Sequence, residues 1–324
     1  MTKKTKPSTK LGFLSGLYII ASALLLTILL KSSSLASAEV KKALQICYST
    51  LIPSLFPIMV ATQIITDSGV VEKLARKLCA PLSALLGVSA TATVPYLLGL
   101  FGGYTASCKS AMLLYQNGQI SKNDFETVIA ISSIPSLAFV TGFIGMGIFN
   151  SSTIGWILWM IAVISTLMLG IINKFFLKLS AINSPYLPAS NNTQKHFSVA
   201  VINAISGSAY AMITICACVI FFSVLISILN AYMIKFPISC TTKSLFFGLL
   251  EITNGISLCK SISSPFSRAL ACAFLIGWSG LCIHFQVISL CEDLDISFRK
   301  YFAFKGLQGV ICLILAWIIF KFKL

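Results

Sequence analysis

Charged residues are scarce in this chain. Of its 324 residues only 9 are Asp or Glu, and all charged residues together make up 10% of the composition. Hydrophobic residues make up 57%, which is far above their share in soluble domains and typical of polytopic membrane proteins. The sequence also lacks a long polar stretch that could form a second, soluble domain. It therefore predicts one all-α, multi-pass membrane domain.

Two further kinds of site are excluded by missing patterns. The chain has 11 cysteines, but none stands in the C-x-x-C spacing that binds zinc or forms a redox pair, and we predict neither a metal nor another cofactor. The net charge of +15 raises the question of nucleic acid, yet Lys and Arg occur in short clusters between apolar runs. We interpret the clusters as charge at helix ends, so the expected partner is the lipid bilayer and not nucleic acid.

The first apolar runs predict an N-terminal transmembrane helix followed by a kinked span. The run 11–30 has the length of about 20 residues that a membrane-spanning helix needs. It is followed by Ala36-Ser37-Ala38, which resembles a signal-peptidase site, so cleavage remains an alternative. The run 43–65 carries Pro53 and Pro57, which remove backbone donors from one helical face and should kink or unwind the helix.

An interfacial helix, a hairpin and two spans are predicted for the rest of the first half. Residues 70–79 place charged side chains on one face and apolar ones on the other, as an interfacial helix does. The apolar segment 81–115 is interrupted by Pro95 and several glycines, which favours a re-entrant hairpin. The runs 128–149 and 156–176 predict two spans.

The second half repeats this order after a polar loop at 183–195. The long run 199–229 predicts a span, and the short, glycine-interrupted segment 245–261 predicts a second re-entrant hairpin. Two more spans are expected at 270–290 and 306–320. Each half therefore has the order span, re-entrant segment, span, span.

An odd number of spans per half has a topological consequence. Three spans carry the chain to the opposite side, so the second half must enter the membrane from the other face, and we predict two inverted repeats. The distribution of Lys and Arg favours a cytoplasmic N-terminus. The predicted organisation is an N-terminal transmembrane helix and linker at 1–42, a first repeat at 43–182, a polar loop at 183–198 and a second repeat at 199–324.

Glu251 is the most informative side chain in the sequence. It is the one carboxylate deep within a glycine-interrupted apolar segment, and a charge at such depth is costly unless it has a partner or a task. The segment 98–110 echoes the segment 249–261, because both end in Cys-Lys-Ser. Paired, broken hydrophobic segments in two halves are typical of membrane transporters with internal repeats.

Four motifs, spread over most of the chain, carry a family resemblance. They are Ile52-Pro53-Ser54-Leu55-Phe56-Pro57, Gly103-Tyr104 followed by Ala106 and Lys109, Leu250-Glu251-Ile252-Thr253-Asn254-Gly255, and Gly280-Leu281-Cys282-Ile283-His284-Phe285-Gln286. Together they resemble the Gate-domain, or nucleoside-recognition-domain, membrane proteins of spore-forming bacteria, the sporulation integral membrane protein group. The chain departs from that family at Thr105, where proline is usual, at Ser107 in place of glycine, and at Cys282 in place of serine.

The resemblance implies a two-repeat helical fold akin to halves of concentrative nucleoside transporters. It also implies a bacterial cell membrane, such as that of the forespore or mother cell, and movement of a small solute during sporulation. For relatives the suggested cargo is dipicolinate, a small aromatic dicarboxylate. We therefore expect a transporter of a small, anionic solute, dipicolinate-like or nucleoside-like, and not an enzyme. Direction, proton or sodium coupling, and assembly into a homo-oligomer are left open.

The candidate site lies where the two re-entrant segments should meet at the membrane midplane. Glu251 is predicted to orient the solute or to couple its movement to an ion, while Thr253, Asn254 and Gly255 offer donors where the helix unwinds. The alternative is that Glu251 caps the broken helix or pairs with a lysine. The corresponding residues of the first segment are Tyr104, Thr105 and Ser107.

Further polar residues near these segments complete the candidate set. Lys109 and Lys260 end the two segments, where they would either attract an anion or extend to the membrane interface. His284 would either form a proton relay with Glu251 or hydrogen-bond to a neighbouring helix. Gln286 lies on the same predicted helix and is a further candidate.

Two other functions fit parts of the sequence. Gly277-Trp278-Ser279-Gly280 matches the G-x-S-G pattern of intramembrane serine proteases. Ser279 and His284 would, however, lie about 140° apart around one helix, too far for a hydrogen bond. A non-transporting membrane scaffold of the spore or cell envelope would tolerate neutral replacements at Glu251, Asn254 and His284, whereas a transporter would not.

Overall fold

A computed structural model of the protein describes residues 9–67, 81–176, 197–233, 238–292 and 294–321. Within these ranges the chain is helical and contains no strand. Four helical segments in the described part of the chain are long and apolar enough to span a membrane, or five if the bent N-terminal pair counts as one span; the four are Ser152–Phe175, Ser198–Met233, Pro265–Leu290 and Phe298–Phe320. The predicted interfacial helix at 70–79 and the polar loop at 183–195 lie outside the described residues.

The helices alternate between long continuous ones and pairs separated by a break. The first half contains α1 (Thr9–Lys31), α2 (Ser33–Ile46), α3 (Ile52–Asp67), α4 (Thr93–Gly102), α5 (Tyr104–Gln116), α6 (Lys122–Ser132), α7 (Phe139–Phe149) and α8 (Ser152–Phe176). The second half contains α9 (Phe197–Met233), α10 (Cys240–Leu250), α11 (Ile252–Cys259), α12 (Pro265–Trp278), α13 (Leu281–Leu290) and α14 (Phe298–Phe320).

The N-terminal helices are bent and locally widened. Tyr18–Lys31 and Ser33–Leu51 meet at an angle of 90°, so the segment predicted as a linker is helical. Between α2 and α3 the chain forms a π-helical turn at Cys47–Leu51. A proline ring at Pro53 would clash with the carbonyl of Ser49 in a regular helix, and the extra residue of a π-helical turn relieves such a clash.

The helices α4 and α5 form a pair that folds back at Gly103. This residue has φ 78° and ψ −172°, a conformation that glycine adopts without steric cost. A Cβ added to Gly99 in α4 would lie 2.8 Å from the Cβ of Ser107 in α5, so the two helices lie side by side. The pair occupies part of the segment predicted as a re-entrant hairpin.

The helices α10 and α11 form the equivalent pair in the second half. They are separated by Glu251, whose backbone is extended at φ −146° and ψ 120°. Ser244 Oγ in α10 donates a hydrogen bond of 2.7 Å to the carbonyl of Gly255 in α11, which fixes the two helices side by side. Both helix pairs are therefore present, while their entry into and exit from one membrane face stays a prediction.

Two apolar runs that the sequence predicts as spans each divide into two helices in the structure. The run 128–149 divides into α6 and α7, because Pro135 lacks an N–H and disfavours helical backbone at the residue before it. The run 270–290 divides into α12 and α13, with Ser279 at φ 76° and Gly280 at φ 89°. The segment Pro265–Leu290 as a whole is still long and apolar enough to span a membrane, so the predicted span there is confirmed, with a break inside it.

The breaks pack against one another in the centre of the molecule. A Cβ added to Gly103 would lie 3.2 Å from the amide nitrogen of Ser136, and one added to Gly280 would lie 3.0 Å from that of Ile252. Each helix pair thus meets the broken helix that follows it in its own half. The two broken helices also meet, since Ser279 Oγ donates to the carbonyl of Ser133 at 3.2 Å.

Candidate functional site

A cavity lies at the meeting point of the helix breaks. It is bounded by Gly103 at the α4–α5 break, by Pro135 and Ser136 at the α6–α7 break, and by Glu251 at the α10–α11 break. Its apolar walls come from the π-helical turn, α3, α7, α9 and α13, and include Leu51, Leu55, Met59, Phe139, Ile215, Val219 and Ile283. A mostly apolar cavity with a few convergent polar groups is the usual form of a small-molecule site.

Glu251 is buried at this cavity and caps the helix that follows it. Only 1% of its surface is exposed. Its carboxylate accepts hydrogen bonds from the backbone N–H of Thr253 at 2.8 Å and from that of Asn254 at 2.7 Å. These donors are orphan groups at the N-terminus of α11, where a negative charge is stabilised by the helix dipole. The predicted capping role is therefore present, and the same residue lines the cavity.

Asn254 holds the Glu251 carboxylate from a second direction. Its Nδ2 donates to Glu251 Oε2 at 2.7 Å and to Ser223 Oγ at 2.7 Å. Because Ser223 belongs to α9, this amide ties the α10–α11 pair to the long helix beside it. Asn254 therefore fixes the position of the Glu251 carboxylate without lining the cavity, whereas Thr253 lines it.

Tyr104 and Gln286 join the two halves across the cavity. The Tyr104 hydroxyl donates to Gln286 Oε1 at 2.5 Å, and Gln286 Nε2 donates to Cys282 Sγ at 3.3 Å. Tyr104, Gln286 and Cys282 all line the cavity, as does Thr105. Thr105 lies two residues after the break at Gly103, as Thr253 lies two residues after Glu251. The two helix pairs thus present a threonine at equivalent places.

Comparison with known proteins agrees with this membrane architecture. The chain is 22% identical to the sporulation integral membrane protein YlbJ of Bacillus subtilis (strain 168), with 96% of this chain and 84% of that protein covered. This chain is an integral membrane protein similar to YlbJ. No family model matches the sequence, so the Gate-domain resemblance stays a prediction. No solved structure matches it either.

Two predicted site residues serve the packing of the helix pairs rather than the cavity wall. A Cβ added to Gly255 would lie 2.2 Å from the Cα of Gly248, so glycine at this position permits close contact between α10 and α11. Ser107 is fully buried and hydrogen-bonds to Ser132. Neither residue is among those that line the cavity.

The two lysines predicted as repeat-related lie in different surroundings. Lys109 comes six residues after Gly103 and donates to the carbonyl of Gly207 at 3.0 Å. Lys260 comes nine residues after Glu251 and is exposed at the end of α11. The shared Cys-Lys-Ser sequence therefore does not align the two pairs, whose register follows their breaks. Neither lysine lines the cavity.

His284 is buried behind the cavity in an aromatic setting. Its Nδ1 hydrogen-bonds to the Tyr301 hydroxyl at 2.8 Å, and its ring contacts Trp278 edge-on, with centroids 4.6 Å apart. The structure therefore does not bring His284 into a relay with Glu251, whose carboxylate is held by α11. Ser279 has its own partners, the carbonyls of Ser133 and Ile276, so it does not form a serine–histidine pair.

Sequence analysis missed the apolar walls and one buried cation. Leu55 and Met59 line the cavity, but an apolar stripe on a membrane helix is indistinguishable in sequence from a lipid-facing one. Lys305 is fully buried in α14, and the sequence places it just before the predicted last span at 306–320. The one sign of this burial in the sequence is that the lysine stands alone between Phe304 and Gly306.

We expect Cys108 and Cys291 to be joined readily by a membrane-permeable oxidant. Their sulfurs are buried and lie 3.6 Å apart, so only a small movement is needed to reach the disulfide length of about 2.05 Å. Copper-phenanthroline should produce, among its products, a cross-linked peptide that joins α5 to the end of α13, detected by mass spectrometry. Cys108→Ser should remove that peptide, and failure to form it in the unaltered protein would contradict the observed approach of the two elements.

Proposed function

We propose that this chain is a transporter that moves a small solute across a membrane during sporulation, and that it is not an enzyme. The observation that carries the proposal is the cavity at which the breaks of both helix pairs converge, with the Glu251 carboxylate buried in its wall. Broken helices around a central site are the arrangement by which secondary transporters bind solutes and ions. The name of the relative, a sporulation integral membrane protein, supports the cellular context.

The proposal includes two inverted repeats with the cavity at their interface. Its support is the matching order of elements, since each half has a long helix, a folded helix pair, a broken helix and a continuous helix. Thr105 and Thr253 occupy equivalent places in the two pairs. In such an arrangement the site lies near the midplane, and access alternates between the two faces as one repeat moves against the other.

Of the two solute classes that the sequence predicts, the charges of the cavity favour the nucleoside-like one. Among the described residues, its lining contains one carboxylate, Glu251, and no basic side chain. Lys109 and Lys260, which would have attracted an anion, lie elsewhere. A dicarboxylate would meet like charge in a low-dielectric setting, where repulsion is strong. A neutral solute with hydrogen-bonding groups can instead use the hydroxyls and amides of Tyr104 and Gln286.

Transport by purified protein in liposomes tests the proposal directly. Radiolabelled nucleosides, dipicolinate and other small anions are offered with and without a pH or sodium gradient. We expect accumulation of a neutral nucleoside above protein-free liposomes, and dipicolinate at background. Val219→Trp, which fills the cavity from α9, should reduce uptake at least about tenfold, since an indole adds a large volume to a close-packed wall.

The same helix offers a matched control for that substitution. Ile213 is 68% exposed on α9, so Ile213→Trp adds the same group toward the surrounding lipid and should leave uptake unchanged. Uptake of dipicolinate but not of nucleosides would overturn the choice of solute class alone. No uptake of any solute by correctly folded protein would overturn the transporter and favour the scaffold.

A further inference from the structure

A lysine is buried at the junction of the two broken helices. Lys305 lies within the membrane-spanning helix α14 and is 0% exposed. Its Nζ donates to the carbonyl of Ser133 at 2.6 Å and to Gln308 Oε1 at 2.7 Å. Ser133 is the first residue of the α6–α7 break. The ammonium group thus reaches from one half's last helix into the broken helix of the other half.

This ammonium group has only neutral acceptors. The ion pairs between described residues are Lys42–Glu39 and Lys122–Asp295, so no carboxylate in the described part of the chain pairs with Lys305. A buried charge without a counter-ion is costly, and within a membrane span such a residue usually has a function. The acceptors at this junction must therefore be well adapted to a cation.

Backbone carbonyl groups at the junction are well suited to accept hydrogen bonds from a cation. The last carbonyls of a helix lack intrahelical partners and carry the negative end of the helix dipole, and Lys305 meets α6 at this end. The carbonyl of Ser133 also accepts from Ser279 Oγ at 3.2 Å. Carbonyls freed at helix breaks are the groups with which transporters coordinate monovalent coupling cations.

The side-chain acceptor is held in place by a third helix. Gln308 Nε2 donates to Ser165 Oγ at 3.2 Å, and Ser165 Oγ donates to the carbonyl of Ala162 at 2.6 Å. Because its amide nitrogen is engaged with α8, Gln308 directs its oxygen toward Lys305. The acceptors around Nζ are thus oriented independently of the lysine itself.

We propose that this junction is a monovalent-cation site that the chain fills with its own ammonium group, that of Lys305. Lys305 is then a positioning residue, which holds α14 against the α6–α7 break without a diffusible ion. It follows that sodium ions neither bind at this junction in the unaltered protein nor stabilise it there. The inference does not depend on transport, because it concerns what fills the junction.

Thermal unfolding of the purified protein in detergent tests the inference. Replacing sodium chloride by choline chloride at equal ionic strength gives the Tm shift of the unaltered protein, which measures any effect of sodium at other sites. Lys305→Ala should lower the Tm by roughly 5–10 °C, because it leaves buried acceptors unpaired. Sodium, ammonium or methylammonium should restore part of that loss in a saturable manner, since the alanine leaves room for a cation.

Two variants control for space and for loss of a lysine. Lys305→Met should be destabilised without being restored by any cation, because its side chain fills the space of the lysine stem. Lys174→Ala removes an exposed lysine that donates to the carbonyl of Ala84, and its Tm should respond to cations as that of the unaltered protein does. Sodium that raises the Tm of the unaltered protein as much as that of Lys305→Ala would overturn the proposal, as would a Lys305→Ala protein that no cation restores.

A further pair of variants tests the charge if Lys305→Ala does not fold. Gln308→Glu gives the ammonium group a carboxylate partner at the same place, so it should match or exceed the Tm of the unaltered protein. Gln308→Leu removes the acceptor and should lower the Tm. A Gln308→Glu protein less stable than Gln308→Leu would mean that the group at Lys305 carries no positive charge, and the proposal would fail.

Discussion

Glu251→Gln is expected to reduce transport of the accepted solute to near background while the protein still inserts into the membrane. The carboxylate accepts from two backbone N–H groups and from Asn254 Nδ2. A glutamine offers one acceptor oxygen and turns its own donor toward those donors, so a buried N–H loses its partner. Such a loss costs about 1–3 kcal/mol. If the transport step loses this free energy, the transport rate falls by roughly ten- to a hundredfold.

The measurement must separate the site role of Glu251 from its capping role. Uptake into liposomes should fall by that factor, whereas loss of a cap alone lowers the unfolding free energy by about 0.5–2 kcal/mol and leaves uptake per folded molecule unchanged. Uptake is therefore normalised to folded protein by size-exclusion chromatography. Glu39→Gln, at a surface pair with Lys42, should change neither quantity, and retained transport by folded Glu251→Gln would remove Glu251 from the proposed mechanism.

The sequence predicts the position of the site better than its details. Glu251, Thr253, Tyr104, Thr105 and Gln286 all line the cavity. They could be found because polar residues beside glycines in apolar segments mark broken helices. The register between the two pairs could not be predicted, because it is set by close helix contacts and not by the shared Cys-Lys-Ser sequence.

Two other features were beyond sequence reasoning for different physical reasons. Ser279 adopts φ 76°, a conformation rare for residues other than glycine, and the sequence there contains no proline to mark a break. Lys305 stands just before the predicted last span at 306–320, whereas α14 begins at Phe298, two turns before the predicted start of that span, and so includes it. Burial of a cation by neutral acceptors depends on tertiary contacts among α6, α8 and α14, which a single sequence does not reveal.

Gly255→Ala is expected to disrupt the α10–α11 pair. The added Cβ would lie 2.2 Å from the Cα and 2.6 Å from the nitrogen of Gly248. These are backbone atoms, so no side-chain rotation relieves the clash and the helices must separate. Separation would weaken the hydrogen bond from Ser244 Oγ to the carbonyl of Gly255. We expect a loss of about 3 kcal/mol or more, seen as a fall in Tm of roughly 5–10 °C.

Gly207→Ala is the matched control for Gly255→Ala because both positions are helical and receive the same methyl group. A Cβ at Gly207 has no atom within 4 Å, so alanine there should stabilise α9 by about 0.5–1 kcal/mol through its higher helix propensity. The two variants should therefore shift the Tm in opposite directions. Separation of α10 from α11 would also displace Glu251 at the tip of the pair, so Gly255→Ala should lose transport at temperatures well below its Tm. Equal Tm values for the two variants would contradict the close packing that positions the Glu251 carboxylate at the cavity.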